Sequence, residues 1–318
     1  MIQVGNKTGR KGRRWWMIPL IICCVLVVIL AVLIWWLPSF VMTGKRQTLD
    51  EAMKWQTDHY DTSFYEGLER KSYEVAGEGG YLLHAEYLRN PNPTTKYVIL
   101  SHGYTDNRFG SLKYAPIYLR LGFNLIIYDL RGHGENESTF TTYGVLEGTD
   151  LYKMIQDARE RYPDMTVLGL HGESLGAATT VTCLKYKPEV DFAVADCGFS
   201  DIENVLKGGI KNANGPAVLV DLADIGARLR YHYSIKAMRP IESLNDNEIP
   251  VLFLHGENDT FILPKNSSDM AERTKGYKEY HVIPKAAHAV SVLTDPVLYE
   301  EHVRQFLKNI GMQVETCD

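Results

Sequence analysis

A serine stands between two glycines in the stretch LGLHGESLGAA, at the spacing Gly172-x-Ser174-x-Gly176. An apolar strand pattern precedes this motif and a helical pattern follows it. Glycines on both sides let the backbone turn sharply, and the N-terminus of the following helix favours developing negative charge. The pattern predicts that Ser174 is a nucleophile presented on a strand–turn–helix elbow.

Candidates for the base and the acid that a serine nucleophile needs follow later strand patterns. His288, in IPKAAHAVS, comes after the last strand pattern, at the same sheet edge as Ser174. Asp259, in VLFLHGENDTFI, follows a buried strand by a short glycine-containing turn. Asp196, at the end of the preceding strand, is the alternative acid. The chain order Ser174, Asp259, His288 favours Asp259.

Two backbone amides are candidates for an oxyanion site, which requires two donors. The amide of Leu175 directly follows the nucleophile, and that of Tyr104 lies in the loop after the strand KYVILSHG. His102 is expected to shape this loop rather than act as a base. Asp129 and Arg131, in YDLRGHGEN, are expected to tie the loops at the strand ends together.

These residues are positioned by short β-type runs that alternate with helical patterns over residues 71–312. Continuous apolar strands between helices indicate a mostly parallel sheet with helices on both faces, where active groups collect at the C-terminal ends of the strands. Residues 200–246 contain no strand pattern and are long for a connection, which predicts a small helical cap over this edge. Residues 41–70 are expected to form a polar, partly helical connector, and residues 313–318 a tail.

The composition excludes several classes of partner and cofactor. Residues 1–46 contain seven of the 34 Lys and Arg and none of the 39 Asp and Glu, so the remainder is strongly acidic. Because phosphate binding needs clustered positive charge, nucleic acid is not an expected partner. The absence of CxxC, HExxH and GxxxxGK[ST] patterns predicts no metal site and no cofactor. Nothing in the sequence indicates that Cys183 and Cys197 pair.

An apolar segment near the N-terminus predicts a membrane anchor. No charged residue occurs in residues 15–40, and an apolar stretch of roughly 23 residues is long enough to cross a hydrocarbon core. Tryptophan pairs at 15–16 and 35–36 stand where interfacial aromatics belong. A cleaved signal peptide would have a shorter apolar region and a small-residue cleavage site. Residues 15–40 are therefore expected to span the bilayer once.

The basic residues around this segment predict its orientation. Five Lys and Arg precede it within residues 1–14, whereas Lys45 and Arg46 alone follow it closely. The positive-inside rule then puts the N-terminus in the cytoplasm and the main domain on the extracytoplasmic side of the cell membrane.

The motifs SHGYTDN, YDLRGHG, GESLG, LHGENDTFI and AAHA, in this order, resemble those of the α/β-hydrolase superfamily over roughly residues 70–310. More narrowly, the chain is similar to bacterial membrane-anchored α/β-hydrolases with a small cap, the serine aminopeptidase-like and esterase group. The resemblance implies Ser174 as nucleophile, Asp259 as acid and His288 as base, with Tyr104 at an oxyanion position of the HG-x type. The chain departs from the HGGG pattern of lipases.

Three functions are compatible with these residues. The first is a serine hydrolase that cleaves a small-molecule carboxylic ester or amide through an acyl-enzyme. An acyltransferase would use the same triad with an acceptor other than water. A non-catalytic, membrane-tethered binding protein on a hydrolase scaffold is the third, and it would be expected to have lost a triad residue or an elbow glycine. Because all of these residues are present, the sequence favours an enzyme.

Overall fold

Eight strands form one sheet in the computed structural model, which describes residues 15–313. The sheet order is β1-β2-β4-β3-β5-β6-β7-β8, with β2 antiparallel to both β1 and β4 and the remaining pairs parallel. The predicted mostly parallel sheet is thereby confirmed. The strands are β1 Arg70–Ala76, β2 Leu82–Leu88, β3 Lys96–Ser101, β4 Asn124–Tyr128, β5 Val167–Glu173, β6 Phe192–Asp196, β7 Val251–Gly256 and β8 Lys278–Ile283.

Helices cover both faces of this sheet. Because each face is covered, the central strands β4, β6 and β7 are buried along their whole length and have nearly continuous apolar sequences. One face packs against α5, α6 and α9, and the other against α4 and α11. The helices are α1 Met17–Met42, α2 Leu49–His59, α3 Ser63–Glu66, α4 Ala115–Arg120, α5 Val145–Arg161, α6 Leu175–Cys183, α7 Ile202–Asn212, α8 Val218–Tyr231, α9 Lys265–Arg273, α10 Ser291–Thr294 and α11 Pro296–Asn309.

Two elements differ from the sequence expectation. The apolar spacing in SLKYAPIYLRLG predicts one regular helix, but the structure has a 3-10 helix over Arg108–Tyr114 that becomes α-helical at Ala115, where Pro116 fits the first turn. Strand β1 lies partly within the expected connector. It is an edge strand in which Val75 alone is buried, so its sequence, RKSYEVA, lacks the apolar run of a central strand.

Residues 200–246, all within the described chain, form α7, α8 and two 3-10 turns, without a strand. Helix α8 packs against the last turns of α1. The two helices cross closely at Gly226, where a Cβ atom would lie 1.8 Å from the carbonyl oxygen of Ile34. Glycine is therefore required at this crossing, and the N-terminal helix and the capping insertion share one packed contact.

The expectations for residues 1–14 and for most of the tail lie outside the described residues. Cys183 and Cys197 are both buried, and each is a free thiol.

Candidate active site

Ser174 lies at the sharp turn between β5 and α6. Its backbone has φ 52° and ψ −109°, a conformation that is strained for a residue with a side chain and typical of a functional elbow. The flanking glycines allow this turn because the backbone approaches itself closely there. A Cβ atom on Gly172 would lie 2.1 Å from the carbonyl oxygen of Gly176, and one on Gly176 would lie 2.0 Å from that of Ser101.

The three predicted triad side chains meet at the C-terminal edge of the sheet. His288, in the loop after β8, has Nε2 3.0 Å from Ser174 Oγ and Nδ1 2.7 Å from Asp259 Oδ2. Both distances are within hydrogen-bond range. Asp259 is fully buried, whereas the His288 side chain is 22% exposed. The arrangement has an oriented imidazole between a hydroxyl and a buried carboxylate, which is the geometry of general-base activation.

Asp259 is held by more donors than the sequence indicated. His255 Nε2 lies 3.1 Å from Oδ2, and the amides of Phe261 and Ile262 donate to Oδ1 at 3.0 and 2.9 Å. Burial alone would raise the pKa of Asp259, but the hydrogen bonds from His255, His288 and the Ile262 amide hold it well below its ordinary value. The carboxylate therefore stays ionised beside the imidazole throughout the neutral range.

The alternative acid, Asp196, does not contact His288. Its Oδ2 accepts the hydroxyls of Tyr114 and Tyr299, at 2.9 and 3.1 Å, beneath the elbow. Burial raises the pKa of Asp196 to about 6, and the neighbouring Glu173 contributes to the rise. Asp196 thus belongs to a buried polar network that supports the turn.

Tyr104 and Leu175, whose amides are predicted for the oxyanion site, border the same cavity as Ser174. Leu175 is the first residue of α6, and Tyr104 follows β3. Among residues 15–313, neither amide donates to a protein acceptor, so both are available to a ligand. His102 is buried, and its Nε2 accepts the amide of Leu130 at 2.9 Å. It holds the loop in shape, as expected.

The residues of YDLRGHGEN make structural contacts. The buried Asp129 carboxylate accepts the backbone amides of Arg108 and Glu135, at 2.8 and 3.0 Å, and pairs with the Arg108 guanidinium. Arg131 makes two hydrogen bonds to the buried carboxylate of Asp150, at 2.9 and 2.7 Å. These bonds fasten the strand-end loops to α5 and to the 3-10 turn before α4.

Two cavities of opposite character open on Ser174. One, of about 370 Å³, is almost entirely apolar and lies beneath α7. The other, of about 230 Å³, contains Asp106, Lys113 and Glu173. Sequence reasoning did not identify these three charged residues or the apolar cavity. A larger polar cavity, of about 950 Å³, lies at the opposite edge of the sheet and contains none of the predicted site residues.

Lys113 and Glu173 form a buried ion pair beside the nucleophile. Lys113 Nζ also donates to the carbonyl oxygen of Ala289, at 2.8 Å, and the Tyr114 hydroxyl donates to Glu173 at 2.6 Å. Burial alone would lower the pKa of Lys113, but the Glu173 carboxylate raises it above its ordinary value. Lys113 therefore stays charged and is bonded to Ala289, the residue that follows His288. The sequence signal for this buried ion pair was Glu173 itself, a charged residue at the end of an apolar strand and immediately before Ser174.

The end of α1 and the segment that follows it are hydrogen-bonded to the loops around the site. The Tyr104 hydroxyl accepts the amide of Gly44 at 2.9 Å, and the Tyr143 hydroxyl donates to the carbonyl oxygen of Val41. Arg46 donates to the carbonyl oxygens of Gly132 and Thr139 and to the hydroxyl of Thr141, and Met42 is fully buried. The expected connector is thus part of the packed domain.

The sheet order, the elbow and the residues around it define an α/β-hydrolase. A family model described as the prolyl oligopeptidase family matches residues 111–312, well over half of the chain. The chain therefore belongs to the prolyl oligopeptidase family, and it is a hydrolase of the esterase or peptidase kind.

Relatives and solved structures are consistent with this assignment. The uncharacterized protein YqkD of Bacillus subtilis is 30% identical over 282 residues, which cover 85% of this chain and 90% of the relative. An esterase of Pyrococcus furiosus has a similar structure, with a TM-score of 0.66, 24% identity and coverage of 78% of this chain and 94% of that one. A puromycin-hydrolyzing peptidase of Mycobacterium tuberculosis shares the fold, with a TM-score of 0.58, 18% identity and coverage of 77% and 40%.

Proposed function

We propose that the protein is a membrane-anchored serine hydrolase that cleaves carboxylic esters or amides through an acyl-enzyme on Ser174. The observation that carries the proposal is the unbroken hydrogen-bond path from Ser174 Oγ through His288 to the buried Asp259. A serine on an ordinary surface turn would have neither the strained elbow backbone nor an oriented base. The proposed catalytic unit is the domain of residues 71–312 with its cap of residues 200–246.

In the proposed reaction, His288 Nε2 accepts the Ser174 proton as Oγ attacks the substrate carbonyl carbon. The amides of Tyr104 and Leu175 stabilise the resulting oxyanion, and Asp259 stabilises the imidazolium. The bond to the leaving alcohol or amine then breaks, and His288 returns the proton to that group. Water, deprotonated by the same base, attacks the acyl-enzyme and releases the carboxylic acid. No metal or cofactor enters this scheme.

Labelling with a fluorophosphonate probe tests the nucleophile directly. The full chain in detergent micelles should label, and Ser174→Ala should not, with heat-unfolded wild type as the background. Turnover of a p-nitrophenyl ester should fall roughly 10³-fold or more in Ser174→Ala. Labelling that persists in Ser174→Ala would contradict the assignment. A folded wild type that does not label would instead favour a non-catalytic binding protein.

The anchoring part of the proposal rests on α1. This helix, Met17–Met42, has a mean hydropathy of 3.4 in its most apolar window, none of which is buried against the rest of the protein. Trp16 and Trp36 are 20 residues apart, or about 30 Å along a helix, the thickness of a hydrocarbon core. The lipid bilayer is therefore the proposed partner of residues 15–40, with the N-terminus in the cytoplasm.

The packing at the end of α1 argues for an anchor that is retained. Cleavage after residue 42, at the end of α1, would remove the buried Met42 side chain and the Val41 carbonyl group that accepts the Tyr143 hydroxyl. A removable signal peptide should contribute nothing to the core of the mature protein, because it is lost after export.

Fractionation and protease access test the anchoring and the orientation. The full chain should remain with membranes after alkaline carbonate extraction, and protease added to intact spheroplasts should digest the hydrolase domain. A soluble protein whose N-terminus follows residue 42 would indicate a cleaved signal peptide. A domain that is protected from external protease would indicate the opposite orientation.

A further inference from the structure

The cavity beneath α7 is built for an apolar group. Within the described residues of α7, Ile202 alone is buried. The apolar face formed by Val205, Leu206 and Ile210 borders the cavity of about 370 Å³, and Val205 and Leu206 are only partly buried against the core. An amphipathic helix normally buries this face against a core. Here the face encloses a space that reaches Ser174, so an apolar part of a substrate would complete its packing.

The cavity on the other side of Ser174 has the opposite chemistry. Asp106 and the buried Lys113–Glu173 pair border it, and His288 lies at its edge. A substrate whose reacting carbonyl group is at Ser174 therefore has one end in the apolar cavity and the other end in the cavity with the charged residues. An ester with an apolar acyl chain and a polar leaving group matches both ends.

The mouth of the apolar cavity lies at the end of the anchor. Phe40, in the last turn of α1, borders the cavity and is 73% exposed. It is four residues beyond the exposed Trp36, or about 6 Å along the helix. If tryptophans mark the membrane interface, the cavity opens at the depth of the lipid headgroups.

The cap helix α8 packs along the end of the anchor, close to the mouth of the apolar cavity. Its contacts advance along both helices in one direction, from Gly226 against Ile34 to Arg230, which donates to the carbonyl oxygen of Trp35 and to the hydroxyl of Ser39. Three large apolar side chains of α8 are exposed beside this contact. These residues are Val218, Ile225 and Leu229. An exposed apolar stripe on a helix packed against an anchor is a surface suited to lipid.

We propose that the substrate is an amphiphile resident in the bilayer, a carboxylic ester with a long acyl chain. The chain enters beneath α7 past Phe40, and the polar leaving group occupies the cavity with Asp106, Lys113 and Glu173. Ser174 Oγ takes the acyl group, the ester C–O bond breaks, and the polar alcohol leaves with the proton from His288. Hydrolysis of the acyl-enzyme then releases a fatty acid. This inference rests on the proposed serine hydrolase function and its membrane anchor.

The first test varies the acyl chain with the full protein in nanodiscs of ether-linked phosphatidylcholine, which has no ester to compete with the probe. For p-nitrophenyl esters, kcat/KM should rise about fourfold per added methylene until the cavity is filled. Gly209, which borders the cavity, and Gly208, which does not, are adjacent in α7, and a Cβ atom on either meets nothing within 4 Å. Gly209→Trp should lower the ratio of kcat/KM for octanoate to that for acetate at least tenfold, whereas Gly208→Trp should retain the wild-type ratio.

The outcomes separate this inference from the proposed function. Acetate hydrolysis that depends on Ser174 but shows no preference for longer chains would overturn the amphiphile proposal alone. An unchanged ratio in Gly209→Trp would overturn the assignment of the acyl chain to this cavity. Turnover that persists in Ser174→Ala would remove the proposed function itself.

A second test identifies the source of the substrate. The full chain is reconstituted in vesicles of ether-linked phosphatidylcholine, which has no ester to cleave, containing monooleoylglycerol, and release of oleate is measured. The rate should follow the mole fraction of monooleoylglycerol in the bilayer at fixed bulk concentration. A rate that follows only the bulk concentration would mean that soluble esters are the substrates, and absence of oleate release from an enzyme active on octanoate would exclude bilayer lipids.

Discussion

Replacing Asp259 by asparagine probes the active site sharply, because the surrounding donors fix how the new side chain must sit. The amides of Phe261 and Ile262 donate to Oδ1 and cannot accept a hydrogen bond. The asparagine oxygen therefore occupies the Oδ1 position. Its NH₂ group is turned toward His288 and His255, which contact Oδ2 in the wild type.

The expected loss follows from the tautomer of His288. An NH₂ group cannot accept the Nδ1–H of the imidazole, so the ring adopts the tautomer that carries its proton on Nε2. That nitrogen then cannot accept the Ser174 proton. Loss of a correctly oriented base corresponds to about 10⁴-fold in kcat, or about 5.4 kcal/mol of barrier. The unfolding free energy should fall by only about 1–2 kcal/mol, because the hydrogen bonds from the Phe261 and Ile262 amides are retained.

The assay is kcat for a p-nitrophenyl ester, with thermal melting to verify folding. Asp196→Asn is the matched control, because the hydroxyls of Tyr114 and Tyr299 can reorient to hydrogen-bond with the new side-chain amide. His288 is not among the partners of Asp196. The kcat of this variant should remain within about tenfold of wild type. If Asp259→Asn kept wild-type kcat while Asp196→Asn lost it, the acid would be Asp196 and the reasoning would be refuted.

Two further perturbations test the elbow and the polar cavity. Gly176→Ala should lower Tm by about 6–12 °C, because its Cβ atom would lie 2.0 Å from the Ser101 carbonyl oxygen and this overlap costs about 3 kcal/mol. The control is Gly208→Ala, on the exposed face of α7, which should not lower Tm. Melting curves of both variants decide this, and equal Tm values would contradict it. Burial raises the pKa of Asp106 to about 6, so the native state binds the proton more tightly than the unfolded state, and stability from this group is lost as pH rises through 6. Asp106→Asn should therefore raise Tm more at pH 8 than at pH 5. An equal rise in Tm at the two pH values would contradict a raised pKa for Asp106.

The central sheet and the proximity of the three proposed triad residues could be predicted from the sequence for a physical reason. Strands covered on both faces need long apolar runs, and such runs are visible in β3 to β7. Groups that follow parallel strands must meet at one edge of the sheet, so the strand patterns, together with the Gly172-x-Ser174-x-Gly176 motif and the chain order, indicate Ser174, Asp259 and His288 as neighbours. The edge strand β1 gave no such signal, because one face and one edge of it are exposed to water.

The two cavities beside Ser174 could not be predicted from the sequence in this way. Lys113 comes from a segment that the periodicity assigned to a regular helix, and its pairing with Glu173 joins residues 60 positions apart. Phe40 belongs to the apolar segment, whose composition alone suggests a purely membrane-embedded helix. Its position at the mouth of the cavity depends on how α1 packs against α8, and this contact between distant segments has no local sequence pattern.

The buried end of α1 also determines where the protein can be truncated without loss of packing. Leu37 and Val41 pack against the domain, Pro38 is buried near Gly226 of α8, and Met42 lies in the core. A fragment that begins at Lys45 would leave a cavity at Met42 and expose the apolar face of α8 around Gly226 to water. Such a fragment should self-associate through this face, so a soluble catalytic domain has to begin before Ile34 and replace its outward apolar side chains with polar ones.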